Sequence, residues 1–168
     1  MRFPARAIGL LLPLLLAPAA SVQAGTHPVS GEAIPAFKLA GVGSTIESDS
    51  LRGRVLYVDF WASWCEPCRR SFPWLAHLHE QYGDKGLMVV AINLDQERRA
   101  ADAFLGKNPA PFHIAFDPQG KTAGAFHVEV MPTSFLIGRD GRVLERHTGF
   151  DPKKAVEIEE RIARELTP

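Results

Sequence analysis

The sequence predicts an α/β protein whose mixed central sheet is covered by helices on both faces. Three observations predict it. Two nearly continuous apolar runs, 55–61 and 87–94, have the length and composition of central strands buried on both sides. Each is followed by a stretch that reads as a helix, the first with apolar residues at the three-to-four spacing of a helix packed on a sheet. The chain then closes with an alternating hairpin and a capped helix, which adds antiparallel strands to a parallel pair.

Taken in order, the N-terminus reads as an export signal. Arg2 and Arg6 make a positive start, residues 8–20 an apolar stretch broken by Pro13 and Pro18, and Val22-Gln23-Ala24 a small-residue cleavage site. The stretch is short of the roughly 20 residues of a transmembrane helix, so cleavage is expected, with an uncleaved membrane anchor as the alternative. The expected organisation is a signal peptide over 1–24 and one domain over 25–168. Residues 26–33 are polar with Gly and Pro, a lead-in. Residues 37–39 and 45–46, separated by Gly41 and Gly43, read as a short hairpin.

The helix after the first central strand carries Phe72, Leu75, Ala76, His79 and Tyr82 on one stripe, with Pro73 inside it. After the second strand, Asp95-Gln96-Glu97 opens a helix expected to run to about Lys107. Residues 112–116 read as a strand before the turn 117–120, and 122–126 as a short helix. Residues 133–138 and 142–148 alternate around Arg139-Asp140-Gly141, a hairpin pattern. Asp151-Pro152 is an N-cap with proline at the first helical position, followed by Ile158, Ile162 and Leu166 on one stripe.

The chain has two cysteines, and both lie in Trp64-Cys65-Glu66-Pro67-Cys68, between a strand and a helix. A two-residue spacer lets the thiols close a small ring, and a helix N-terminus stabilises a thiolate through its unpaired N–H groups and dipole. A purely structural staple of so short a loop is worth only about 2 kcal/mol. A zinc site lacks its other ligands, because no second Cys pair or His-x-His cluster exists. Redox chemistry is the expected role, with Cys65 as nucleophile and Cys68, one turn further in, as resolving thiol. Glu66 either places a negative charge beside Cys65, which disfavours its thiolate and tilts the couple towards reductant, or is simply a helix N-terminal charge. Pro67 adds no help to the thiolate. Asp59 is the anomaly in the first strand, since a carboxylate among Val, Leu, Tyr, Phe and Trp is costly to bury and should have a raised pKa. The histidines at 77, 79, 113, 127 and 147 show no ligand spacing and read as solvated or core residues.

The run from Val55 to Cys68, with Met131-Pro132-Thr133 opening a later strand, resembles the thioredoxin superfamily, and most of all its exported TlpA/ResA-like branch. The resemblance implies a thioredoxin fold, with the helix-strand unit 96–116 as the central insertion of that branch. It implies a thiol-disulfide oxidoreductase, usually a reductant, with cytochrome c maturation among its roles. Asp59 then matches the buried acid that assists proton transfer at the resolving cysteine. Pro132 matches the cis-proline facing the dithiol, Met131 the residue beside it that pairs with an extended substrate, or else a core thioether, and Trp64 an aromatic packed beside the dithiol. Trp61 matches a flanking position or is core.

Two positions depart from the ResA-like pattern. Ser71 stands where an acid is usual, and Asp59 where an amide is frequent.

Removing Arg2 and Arg6 from 19 basic residues leaves 17 against 19 acidic ones, a formal charge of −2, so nucleic acid is not an expected partner. The expected partners are disulfide-containing client proteins and a membrane-embedded thiol electron donor of the DsbD/CcdA kind, in the periplasm, with no metal and no cofactor. The alternatives are a DsbA-like oxidant, against which Pro67 stands where that group usually has a histidine, and a Sco-like copper module, which uses a three-residue spacer.

Overall fold

The computed structural model describes residues 30–167, so the signal-peptide reading of 1–24 lies outside the described residues. The strands are β1 (Lys38–Gly41), β2 (Thr45–Glu47), β3 (Val55–Trp61), β4 (Leu87–Asn93), β5 (His113–Phe116), β6 (Thr133–Ile137) and β7 (Val143–Thr148). The helices are α1 (Glu66–Tyr82), α2 (Arg98–Leu105), α3 (Lys121–Ala125) and α4 (Pro152–Leu166). One seven-stranded sheet takes the order β2-β1-β5-β4-β3-β6-β7. Strands β3, β4 and β5 run parallel, and every other pairing is antiparallel. This is the mixed sheet of a thioredoxin fold, with the α2–β5 unit inserted so that β5 lies between β4 and β1.

Strand β3 is buried along its whole length because both of its faces are covered. Val55, Tyr57 and Trp61 point into a core shared with Phe72 and Leu75 of α1, Phe104 of α2 and Ile158 and Ile162 of α4. Leu56, Val58 and Phe60 point the other way, against Phe37, Phe126 and Phe135. Side chains alternate along a strand, so Asp59 faces the α1 and α4 side, between Tyr57 and Trp61. The terminal helix starts as its cap dictates, with the Asp151 carboxylate accepting from Lys153 N at 2.9 Å.

Two elements differ from the sequence reading. The buried stripe of α1 is Cys68, Ser71, Phe72, Leu75 and Leu78, whereas Ala76, His79 and Tyr82 are partly exposed. The helix is rotated so that its cysteine end meets the core. A serine is tolerated there because Ser71 Oγ donates to the Cys68 carbonyl at 3.0 Å, leaving no unpaired hydroxyl. Helix α2 begins at Arg98, not at 95, because the Asp95 carboxylate is engaged by Ser63 and Asn93 and does not cap the helix.

Candidate active site

Strand β3 ends at Trp61, and the chain turns through Ala62, Ser63 and Trp64 into α1. Trp61 is fully buried, with its ring 4.9 Å from Phe72 and 5.1 Å from Phe104, so it belongs to the core. Trp64 does the opposite. It is 69% exposed and stands at the surface over the start of α1.

Cys65 is the N-cap of α1, and its sulfur accepts from the N–H of Cys68 at 3.3 Å. That contact is the helix-terminus stabilisation expected for a nucleophilic sulfur, realised by one specific donor. The two cysteines are joined in a disulfide, with Cα atoms 5.2 Å apart. Cys65 is 5% exposed and Cys68 is fully buried. Cys65 is thus largely enclosed, because the turn and the neighbouring 128–131 segment wall it in, yet it remains the more accessible of the two. Glu66 is exposed in the first helical turn, and Pro67 follows it, where an absent N–H costs nothing.

Two cavities are lined by the candidate residues. The first, of about 480 Å³, is lined by Trp64, Cys65, Glu66, Pro67, Val130 and Met131, among others. Val130 is 50% exposed, so the mouth beside Cys65 has an apolar rim on both sides. The second, also about 480 Å³, is lined by Tyr57, Asp59, Pro132, Ser134, His147 and Lys154, among others. The Met131–Pro132 peptide bond is cis, and it divides the two, with Met131 lining the first cavity and Pro132 the second. The candidate residues of the sequence reading therefore separate into a sulfur group around Cys65 and a proton group around Asp59.

Asp59 is 2% exposed, and its Oδ2 is buried without a hydrogen-bond partner. Burial holds its carboxyl well above the usual carboxylate range, and the Asp59 charge adds to the burial that raises Tyr57. A carboxyl whose pKa is raised by burial can take a proton from a neighbour and give it up again.

Sequence reasoning missed Asp95, which it assigned to a helix start. The carboxylate instead accepts from Ser63 N at 3.0 Å, Ser63 Oγ at 3.0 Å and Asn93 Nδ2 at 2.8 Å. It ties the end of β4 to the turn that carries Trp64 and Cys65. The only signal in the sequence is a polar Asn93-Leu94-Asp95 close to an apolar strand, which helix-opening residues also explain.

The arrangement supports exchange between a sulfur pair and a disulfide bound at the apolar mouth. Known proteins agree with that chemistry. The redoxin family model matches residues 29–165. A thiol-disulfide oxidoreductase ResA of Bacillus cereus is 33% identical over 128 residues, covering 76% of this chain and 74% of its own. ResA of Bacillus subtilis (strain 168) is 32% identical over 131 residues, covering 77% and 73%. A crystal structure described as a putative thiol:disulfide interchange protein DsbE from Chlorobium tepidum superposes with a TM-score of 0.81 at 45% identity, covering 83% of this chain and 99% of that one. The chain belongs to the redoxin family and is a thiol-disulfide oxidoreductase of the ResA/DsbE type.

Proposed function

We propose that this protein reduces client disulfides in the periplasm, with residues 1–24 removed on export and a membrane-embedded thiol donor of the DsbD/CcdA kind restoring its dithiol. Among the described residues no helix is long and apolar enough to cross a membrane. The observation that carries the reading is the asymmetry of the two sulfurs. Cys65 lines the apolar mouth and accepts the helix N–H, whereas Cys68 is fully enclosed beneath it.

In the reaction, the Cys65 thiolate attacks a client sulfur and displaces the other client sulfur as a thiolate. Asp59 takes the Cys68 proton, the Cys68 sulfur attacks Cys65, and the client leaves with both sulfurs reduced. Met131 offers backbone pairing to an extended client segment, Pro132 turns the chain so that Met131 meets that segment, and the exposed ring of Trp64 covers its apolar part. Glu66 and Pro67 tune the couple towards the reducing side. Service in cytochrome c maturation is the specific role proposed.

The test is covalent trapping. Cys68→Ser should accumulate mixed disulfides with clients, and Cys65→Ser should accumulate almost none. Heme-attachment cysteines of apocytochromes among the adducts support the maturation role. Equal trapping by the two variants refutes the order of attack, and a reduction potential close to about −120 mV refutes the reducing direction.

A further inference from the structure

A row of polar residues crosses the sheet from the buried carboxyl to an edge strand. The register pairs Asp59 of β3 with Ser134 of β6, and Ser134 with His147 of β7. Residues directly opposite each other on paired strands share a face, so the three stand in line, stepped by about 4.8 Å per strand. Tyr57, two residues before Asp59 on the same face, joins the row through a 2.8 Å hydrogen bond between its hydroxyl and Ser134 Oγ. All four line the second cavity. The row starts at the unpartnered Oδ2 of Asp59 and ends at His147, half-buried on the outermost strand.

The two cavities share no lining residue. A client seated over Cys65 covers the first, and the proton that Cys68 must lose is then shut off from water on that side. A polar cavity of about 480 Å³ admits water. We propose that this second cavity is the proton port of the resolving step, in which Asp59 passes the Cys68 proton along Ser134 and His147 to solvent on the side the client leaves open. The inference rests on the proposed role of Asp59 as base for Cys68.

In that step the Cys68 S–H bond breaks and its proton goes to Asp59. The Cys68 sulfur forms a bond to Cys65, the bond from Cys65 to the client sulfur breaks, and its electron pair leaves on the client thiolate. Over capture and resolution together the client gains two electrons and the cysteine pair loses two. The Asp59 proton leaves through the port, and the client thiolate takes a proton from water.

His147 is suited to the outer position. Its Nε2 is buried without a hydrogen-bond partner, 3.3 Å from Glu145 Oε2, while the side chain as a whole is 21% exposed. Burial lowers its pKa below the ordinary histidine value, Glu145 opposes that shift and Lys154 adds to it. The other charged groups lining the cavity with it are Asp59, Arg146 and Asp151, which caps α4, and its neighbour Glu145 also pairs with Arg161 of α4 at 3.2 Å. A neutral imidazole accepts a proton and releases it to water.

The experiment uses reduced protein and a peptide whose single cysteine is activated as a nitrothiobenzoate disulfide. Capture by Cys65 releases the coloured nitrothiobenzoate, and resolution by Cys68 releases peptide thiol, read by acid quench and chromatography. Asp59→Asn should slow resolution on the order of 10²-fold, the scale of a lost general base. His147→Ala and His147→Gln should each slow resolution by roughly tenfold, a part of that factor, with capture at the wild-type rate. Added imidazole should restore His147→Ala and not His147→Gln. Wild-type resolution in both His147 variants beside a slow Asp59→Asn overturns the port and leaves Asp59 as base. Slow resolution without imidazole rescue assigns His147 a packing role and also overturns it. Wild-type resolution in Asp59→Asn overturns the underlying reading instead.

Discussion

Replacing Asp95 with alanine withdraws one acceptor group from three donors at once. The donors are Ser63 N and Ser63 Oγ, each 3.0 Å from the carboxylate, and Asn93 Nδ2 at 2.8 Å. Hydrogen bonds to a charged acceptor are worth about 1.5–3 kcal/mol each when both partners are shielded. Ser63 is half-buried, so water can replace the carboxylate for its two donors, and each loss is reduced to about 1 kcal/mol. Asn93 is 1% exposed, and its amide has no such substitute, which adds about 1–3 kcal/mol for a buried unsatisfied donor. The expected destabilisation is about 3–5 kcal/mol, a large share of the roughly 5–15 kcal/mol that holds a domain folded. Urea unfolding should show it as a lower midpoint with an unchanged slope. Asp95→Asn keeps one oxygen and should lose about half as much, and Ser63→Ala about 1 kcal/mol. Because the same bonds hold the turn that carries Trp64 and Cys65, client capture should slow in Asp95→Ala even where the protein is fully folded. A loss below about 1 kcal/mol for Asp95→Ala, the range of an ordinary surface substitution, would refute the reasoning.

Asp59→Asn should stabilise the fold in a pH-dependent way. Burial raises the Asp59 pKa above its unfolded value of 3.8, so its contribution is fully present below that pH and is lost as pH rises through the raised value. The melting temperature of the variant should therefore gain on the wild type from acid towards neutral pH, and a constant difference would show that Asp59 is not buried as a carboxyl. Trp64→Ala should leave stability within about 0.5 kcal/mol, since the ring is 69% exposed, yet it should weaken capture of apolar cysteine peptides by about 1–2 kcal/mol. Equal capture rates for the variant and the wild type would remove Trp64 from the client surface.

Much of this protein is local, and what is local was legible. The run 55–61 had to be a central strand, because only burial on both faces uses six apolar residues among seven in succession, and β3 is buried from Val55 to Trp61. Cys65 and Cys68 are set by three-residue spacing at a helix start, which needs no knowledge of the rest of the chain. Asp59 announced itself as a charge in an apolar strand, and Asp151-Pro152 as a cap. The misread stripe of α1 shows the limit of periodicity. Five positions fit a helical face, but the face that is buried depends on where the helix crosses β3, and Ser71 joins it only because its hydroxyl finds the Cys68 carbonyl.

Tertiary pairing decided the remainder. Asp95 lies 32 residues from Ser63, and Tyr57 lies 77 from Ser134, so neither hydrogen bond leaves a trace in any sequence window. The line from Asp59 through Ser134 to His147 exists because Ser134 of β6 stands directly opposite Asp59 of β3 and His147 of β7, and a slip of one residue would turn Ser134 to the opposite face. Spacing and composition mark which residues carry paired sulfurs and a carboxyl in an apolar strand; the sheet register decided which of them stand on the same face and on which side of Met131–Pro132 each one lies.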